Sequence, residues 1–367
     1  MFPCRGWEAT GFANGAYADV MASILLDGVT VERSGVAVIH AMTLAVENHE
    51  FFVLIGPSGS GKTSVLRVVA GIDLPVSGDV LFDGDVVTQV ELARRDIAMV
   101  FETNTLIPFK SVRENISFPL EMHHFERDEI DRRVLAQSRV MAIDRFLDRM
   151  PKDLATGHQQ LVQAARALVR RPSVFLLDEP LSRIDSASRS MMRTEIRLLQ
   201  RGYGVTTLYA TNDQEDAMAL ADRIAVIDQG LLRQVGTVDE IFDKPVDVFV
   251  AGFVGSPPMA FLSGDLTGSE VYIAAGSLPV PPQTPHGLVT VGVRAEDWEV
   301  VPTAGLPGVV TSIENHGGHV FAEVDLGGDP IVMRFDDKRP ATGDRFEIWP
   351  RRFHLFDPSG RAVAHIN

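Results

Sequence analysis

The chain has 367 residues, 45% of them hydrophobic and 23% charged, with a formal net charge of −15. That size allows two domains or three with full cores, and no run of eighteen apolar residues is present to span a membrane. The acidic balance argues against unspecific binding to nucleic acid or an anionic membrane face, and a single cysteine, Cys4, excludes an intrachain disulfide, in keeping with a reducing cytosol.

Residues 1–22 show neither helical nor strand periodicity and lack the basic start and apolar centre of a secretory signal, so they read as a flexible tail. An α/β domain is expected over 23–242. Within it, Phe51 to Ile55 (FFVLI) is an apolar run of strand length, as in a strand buried on both faces. It leads into GPSGSGKTS, Gly56 to Ser64, and then into SVLRVVAGI, where Val65, Leu66 and Val69 share a helix face. A helical subdomain is expected at about 103–165, with a helix-rich stretch from Ser111 to Met150 that carries no evident chemistry. Val174 to Leu177 (VFLL) is a second buried strand, ending in Asp178-Glu179-Pro180, and further strands are expected at Val205–Ala210 and Ile224–Ile227. Strands alternating with helices predict a largely parallel sheet. The Gly- and Pro-rich GFVGSPPM lies in an expected linker, 243–262, and short alternating segments from 263 to 367 predict a small all-β barrel or sandwich.

Gly56, Pro57, Ser58, Gly59, Ser60, Gly61, Lys62 and Thr63 complete a phosphate-binding loop, with Ser64 following. The glycines let the backbone wrap a polyphosphate with its N–H groups, and the helix N-terminus adds a favourable dipole. Lys62 reaches the β- and γ-phosphates, and the Thr63 hydroxyl suits Mg²⁺. A chance Gly/Ser turn would not bring a strand before it and a helix behind it. Asp178, at the end of the second buried strand, suits the same metal, and Glu179 is placed to polarise an attacking water. Alone, that acidic pair would read as a solvated turn; beside an intact phosphate loop it reads as the second half of the site.

The order of these motifs resembles the ATPases of ABC transporters, specifically the maltose-transporter-type import ATPases for sugars and related solutes, over residues 24–365. The resemblance rests on RALVRRPSVFLLDEPLSRIDSASR (Arg166 to Arg189), DQEDAMALADRIAVIDQGLLRQVGTVDEIFDKP (Asp213 to Pro245), VAGFVGSPPMAFL (Val250 to Leu262), VGVRAED (Val291 to Asp297) and FHLFDPSGRA (Phe353 to Ala362). It implies an ABC ATPase domain with a helical subdomain and a C-terminal oligonucleotide-binding-like β domain serving regulation and dimer contact. ATP and Mg²⁺ would be bound between two ATPase subunits in a homodimer, each ATP held by the phosphate loop of one subunit and the signature loop of the other. Two integral-membrane permeases and, indirectly, an extracytoplasmic solute-binding protein would be the partners, at the cytoplasmic face of the membrane, with no nucleic acid involved.

Four places depart from that family pattern. The signature loop, usually Leu-Ser-Gly-Gly-Gln, is Leu154-Ala155-Thr156-Gly157-His158: the serine hydroxyl is gone, one glycine is filled, and the last glycine amide is kept. Glu102 replaces a glutamine that senses the metal and the attacking water; it is a harder metal ligand but adds negative charge. Asn212 replaces the histidine that contacts the γ-phosphate, and either donates a hydrogen bond there or caps the helix starting at Asp213. The aromatic residue that stacks on adenine gives way to Arg33 or Ser34, and Arg33 either stacks on the base or is a solvated charge. Asp185, in LSRID, matches the dimer-facing loop. One lost transition-state contact costs about 10²–10³ in rate, and such losses are not additive. With Lys62, Thr63, Asp178 and Glu179 intact, a slow but competent ATPase is expected; a subunit gated by nucleotide without turnover, or one paired with a different intact ATPase, is the alternative. Leu106, Ile107, Phe109 and Phe118 either face the permease or belong to the core.

Overall fold

The computed structural model describes residues 21–282, 284, 286–336 and 338–366, so all of the tail expected over 1–22 except Met21 and Ala22 lies outside the described residues. The chain divides into two compact units between Val235 and Gly236.

The first unit opens with β1 (Ile24–Arg33) and β2 (Val36–Val46), paired antiparallel, followed by β3 (Phe51–Ile55), α1 (Lys62–Ala70), β4 (Ser77–Phe82), β5 (Asp85–Val86) and β6 (Ile97–Val100). Three helices come next, α2 (Val112–Met122), α3 (Arg127–Val140) and α4 (Thr156–Leu168). Then strands and helices alternate: β7 (Val174–Asp178), α5 (Ser186–Tyr203), β8 (Thr206–Thr211), α6 (Gln214–Leu220), β9 (Arg223–Asp228) and β10 (Leu231–Gly236). Two sheets result, a four-stranded one in the order β2-β1-β4-β5 and a six-stranded one in the order β10-β9-β3-β8-β7-β6. In the larger sheet β3 runs parallel to β8 and β9, and β7 parallel to β6 and β8.

Every residue of β3 and β7 is buried, which is why FFVLI and VFLLD carry no polar alternation before Asp178. α1 packs Val65, Leu66, Val68 and Val69 at no more than 1% exposure into a core shared with residues of both sheets. Each such side chain contributes about 1.5–3 kcal/mol by leaving water, so the helix that carries the phosphate loop is firmly seated. α2 starts on a capping box in which Ser111 and Glu114 satisfy each other's backbone N–H groups.

The second unit begins with two short helices, α7 (Val238–Asp243) and α8 (Val248–Phe253). The linker expected over 243–262 is therefore folded: Val248 N–H donates to Gly360 O, Ala362 N–H donates to Val246 O, and the buried Arg294 donates to Val254 O and Phe242 O. Gly252 lies inside α8, and Gly255 takes φ +115° just beyond it, so the glycines that suggest a linker belong to folded structure instead. Strands β11 (Ala260–Thr267), β12 (Glu270–Ile273), β13 (Gly276–Pro279), β14 (Gly287–Val293) and β15 (Trp298–Val301) follow, then β16 (Leu306–Asn315), β17 (Val320–Leu326) and β18 (Asp329–Phe335). β19 (Arg345–Pro350), β20 (Phe353–Phe356) and β21 (Ala362–Ile366) complete two sheets, ordered β13-β12-β11-β14-β20-β21 and β15-β19-β16-β17-β18. One apolar core, including Leu262, Val291, Val324 and Leu355, joins them, which makes the described part of this unit all-β apart from its two leading helices and a single 3-10 turn at Ala295–Asp297.

Candidate nucleotide-binding site

Strand order creates the site. β3, β8, β7 and β6 are consecutive in the sheet, and their paired residues run to the same edge: Ile55 lies opposite Thr211, Ala210 opposite Asp178, and Leu177 opposite Val100. The next residues on the four strands therefore open four loops side by side, led by Gly56, Asn212, Glu179 and, two residues beyond β6, Glu102. Ligand sites of parallel α/β sheets form at such carboxyl ends.

Gly56 leaves β3 under the carbonyl of Ile227, where an added Cβ would lie 2.1 Å from that oxygen. Gly61 takes φ +109° at the N-cap of α1, a left-handed conformation that a side chain would strain. Between them Pro57 is half-buried, Ser58 and Gly59 are exposed, and Ser60 is buried with its hydroxyl unpartnered. Lys62, only 4% exposed, donates from Nζ to Gly56 O at 2.8 Å and Pro57 O at 3.0 Å. Ser64 is buried in the first turn of the helix. The Thr63 hydroxyl donates to Asp178 Oδ1 at 2.9 Å, joining the phosphate loop to the end of β7.

Burial pushes the Lys62 ammonium below its usual value, against the opposing pull of Glu179 and Asp178. Burial likewise raises the Asp178 carboxyl, with Thr63 counteracting and the Glu102 charge adding to the rise. Glu179 is raised by burial, lowered by Lys62, and raised again by Glu102 and Asp178. Glu179 also holds φ +44°, a left-handed geometry costing about 1–2 kcal/mol in a non-glycine residue, and its N–H donates to Ala210 O at 2.9 Å. Strain of this kind persists where the surroundings over-determine a side chain's direction. Thr63 and Asp178 offer adjacent oxygen donors of the kind a hard divalent cation takes together with phosphate oxygens and water. No cluster of three or more His, Cys, Asp or Glu that could hold a metal occurs among the described residues, so no all-protein cage competes with that arrangement.

Glu102, about half exposed, faces Arg183, with Nη2 to Oε1 at 3.5 Å. Sequence reasoning missed this arginine; its visible sign was a cation inside LSRID, beside a site already crowded with carboxylates. Asp185 caps α5 by accepting from Ser188 N–H at 3.0 Å. Asn212 is exposed and is not the cap of α6: Asp213 takes that place, accepting from Asp216 N–H at 3.1 Å, because the helix starts one residue later, at Gln214. Arg33 bonds to Asp73 at 3.0 Å, and Arg67 holds the same carboxylate. Ser34 occupies the β1–β2 turn at φ +52°. Leu106 is core at 7% exposure, Ile107 and Phe118 are half-buried, and Phe109 is 76% exposed.

In the signature segment Leu154 is buried, Ala155 stands at the N-cap of α4 with no side-chain hydrogen bond, and Thr156 is exposed. A Cβ on Gly157 would meet nothing within 4 Å, so nothing inside the chain demands glycine there. His158 packs against Phe146, ring centroids 4.5 Å apart, and its imidazole is held below the usual value by burial and by Arg145 and Arg149.

A phosphate loop, a strand-end aspartate and a following glutamate on one edge of a parallel sheet define a P-loop nucleotide-binding ATPase. The comparisons carry this further. The ABC transporter family model matches residues 39–182, and a TOBE domain model matches residues 291–356. The chain is 40% identical to the sn-glycerol-3-phosphate import ATP-binding protein of Ruegeria pomeroyi, over 94% of this chain and 100% of that one. It is 38% identical to the trehalose/maltose import ATP-binding protein of Thermococcus litoralis, again over 94% and 100%. Among solved structures, a dimeric ATP-binding cassette in a post-hydrolysis state with ADP and phosphate is 27% identical at a TM-score of 0.53, covering 59% of this chain and 98% of that one. The chain belongs to the ABC-transporter ATP-binding proteins, the ATPases that couple ATP to transport.

Proposed function

We propose that this chain is the ATP-hydrolysing subunit of an importer for a sugar or related polar solute. The convergence of Lys62, the Thr63–Asp178 pair and Glu179 at adjoining strand ends carries this reading. The names of the relatives, which import sn-glycerol-3-phosphate and trehalose or maltose, support the solute class. Lys62 and the loop N–H groups of residues 58–63 bind the β- and γ-phosphates. Glu179, oriented by its strained backbone, takes up the proton of a water attacking the γ-phosphorus, while the bond to the β-bridging oxygen breaks. Mg²⁺ would be held by Thr63 and Asp178, with Glu102 beside them, and would supply charge neutralisation of the phosphates.

Two copies pairing head to tail would let the loop Leu154, Ala155, Thr156, Gly157 and His158, with Asp185, face the other copy's ATP. The open space at Gly157 supports a close approach there. Asn212 would donate to the γ-phosphate without the positive charge of a histidine, so turnover is reduced, not lost. Arg33 is engaged by Asp73 and would reach adenine only by giving up that partner. No helix among the described residues is long and apolar enough to cross a membrane. The exposed Phe109 supports docking on two permeases from the cytoplasmic side, with an extracytoplasmic solute-binding protein feeding them. The test is Mg²⁺-dependent ATP turnover in the reconstituted transporter. Glu179→Gln should lower kcat by at least about 10²-fold with ATP affinity preserved; equal rates in both forms would refute the assignment.

A further inference from the structure

α4 begins with no side chain capping it, yet its approach is fixed from another direction. Gln159 folds back over the helix start, and its Nε2 donates to Pro151 O at 2.9 Å and Leu154 O at 3.0 Å. Its Oε1 accepts from Asn104 Nδ2 at 2.5 Å, and Asn104 Oδ1 accepts from Leu106 N–H at 2.9 Å. One turn on, Gln163 Oε1 accepts from both the N–H and the hydroxyl of Thr105, at 3.2 and 3.1 Å. A further turn along, Arg166 donates to Thr105 O at 2.9 Å and to its hydroxyl at 2.6 Å. Gln159, Gln163 and Arg166 follow helical spacing, so one stripe of α4 grips Asn104 and Thr105, and its first member, Gln159, also holds the carbonyls of Pro151 and Leu154.

A capping hydroxyl at position 155 would bind one of the free N–H groups of the first helical turn. The Gln159 amide holds carbonyls instead, and so steadies the loop while no side chain consumes those N–H groups. That is the arrangement an anion at the helix start requires.

We propose that Asn104 and Gln159 form a positioning pair that fixes the signature loop in place of a capping side chain and couples it to the loop carrying Glu102. In the paired arrangement proposed above, on which only this last consequence rests, the coupling links a copy's own nucleotide site to the loop it offers to the other copy's ATP.

Amide hydrogen exchange on the full chain tests the pair without requiring turnover. Losing hydrogen bonds of this kind should speed exchange by about three- to tenfold, so Asn104→Ala should raise it over 154–160, away from the substituted loop. Gln159→Leu should raise it over 103–106 as well. Unchanged exchange over 154–160 in Asn104→Ala overturns the proposal. In turnover, Gln159→Leu should lower kcat by about tenfold. Affinity of the isolated chain for a fluorescent ATP analogue, which reads only the phosphate loop, should stay as it was. Adding Ala155→Ser, which restores a cap, should recover most of the protection. A general loss of folding would depress affinity and thermal midpoint together and would not respond to Ala155→Ser; that result also overturns the proposal. No turnover in the unaltered chain counts against the ATPase assignment alone, because the exchange result still decides the pair.

Discussion

Arg95 is the least conspicuous residue on which the nucleotide loop depends. It lies 4% exposed below α1 and is satisfied by carbonyls, not by a carboxylate: Nη1 donates to Val68 O at 2.9 Å and Val69 O at 2.8 Å, Nη2 to Thr88 O at 2.9 Å, and Nε to Val90 O at 3.0 Å. Two of those acceptors end the helix whose other end holds Lys62, and a cation there also meets the negative pole of the helix dipole. Burial lowers the guanidinium below its usual value, so its charge is held at a cost. Arg95→Met keeps much of the volume and strands three carbonyls, those of Val69, Thr88 and Val90, while Val68 O keeps the N–H of Gly71. At about 1–3 kcal/mol for each buried group left unpaired, with sub-additive losses and some relief from no longer burying a charge, the net cost should be about 3 kcal/mol. Urea unfolding followed by far-UV circular dichroism measures it. Trp298 and Trp349 report the second unit by fluorescence, and their transition should not move. A lysine at 95 has one donor group to offer and should recover only part of the loss. A cost below about 1 kcal/mol for Arg95→Met would refute the reasoning, since burial would then be holding α1 without the hydrogen bonds.

Three further outcomes follow from the same geometry. Glu102→Gln removes a charge that helps hold Asp178 and Glu179 above the usual carboxylate range, so Glu179 should ionise more readily; the acid limb of the kcat–pH profile should move to lower pH, and a shift to higher pH would contradict the charge assignment. Gly56→Ala drives a Cβ against Ile227 O and should abolish binding of a fluorescent ATP analogue while leaving the second unit's unfolding unchanged. In the second unit, burial and the neighbouring His365, Arg294 and Arg352 depress His354 to about 3, and its Nδ1 lies 2.7 Å from His365 Nδ1. The unfolded chain takes up that proton near pH 6.5, so stability is complete above this value and falls by on the order of a few kcal/mol as pH drops towards 3. His354→Leu should flatten that fall in the tryptophan fluorescence transition.

The nucleotide loop was legible because its chemistry is contiguous: eight residues between an apolar strand and a helix carry the whole signal. FFVLI and VFLLD were legible because full burial leaves a strand no polar face. Pairing across the chain was not. β1, β2, β4 and β5 form a separate antiparallel sheet whose register is broken by irregularities between Leu26 and Val29, so no clean alternation announced it. The Glu102–Arg183 pair and the Asn104–Gln159 contact join segments brought together only by the order β7-β6 and the packing of α4. Asn212 and Asp213 are equally good caps by residue type, and only the start of α6 separates them. The segment 243–262 misled because Gly and Pro shape folded turns as readily as they mark linkers.

Exposure separates the residues around the site. Lys62 and Asp178 are at most 7% exposed, Lys62 held by the carbonyls of Gly56 and Pro57 and Asp178 by the Thr63 hydroxyl. Glu102, Ala155 and Asn212 are exposed on loops beyond strand or helix ends, and Thr156 is exposed at the start of α4. Substitution at exposed loop positions costs the fold little, so these sites could change without loss of structure. Glu102 and the loop before α4 each have a neighbouring partner as well. Arg183 stands against the charge added at Glu102, although a half-exposed pair at 3.5 Å is screened by solvent and offsets that charge only in part. Gln159 steadies the loop before α4. Beside the exposed Asn212, Asp213 pairs with Arg189, so the cation at this edge is already engaged by a carboxylate.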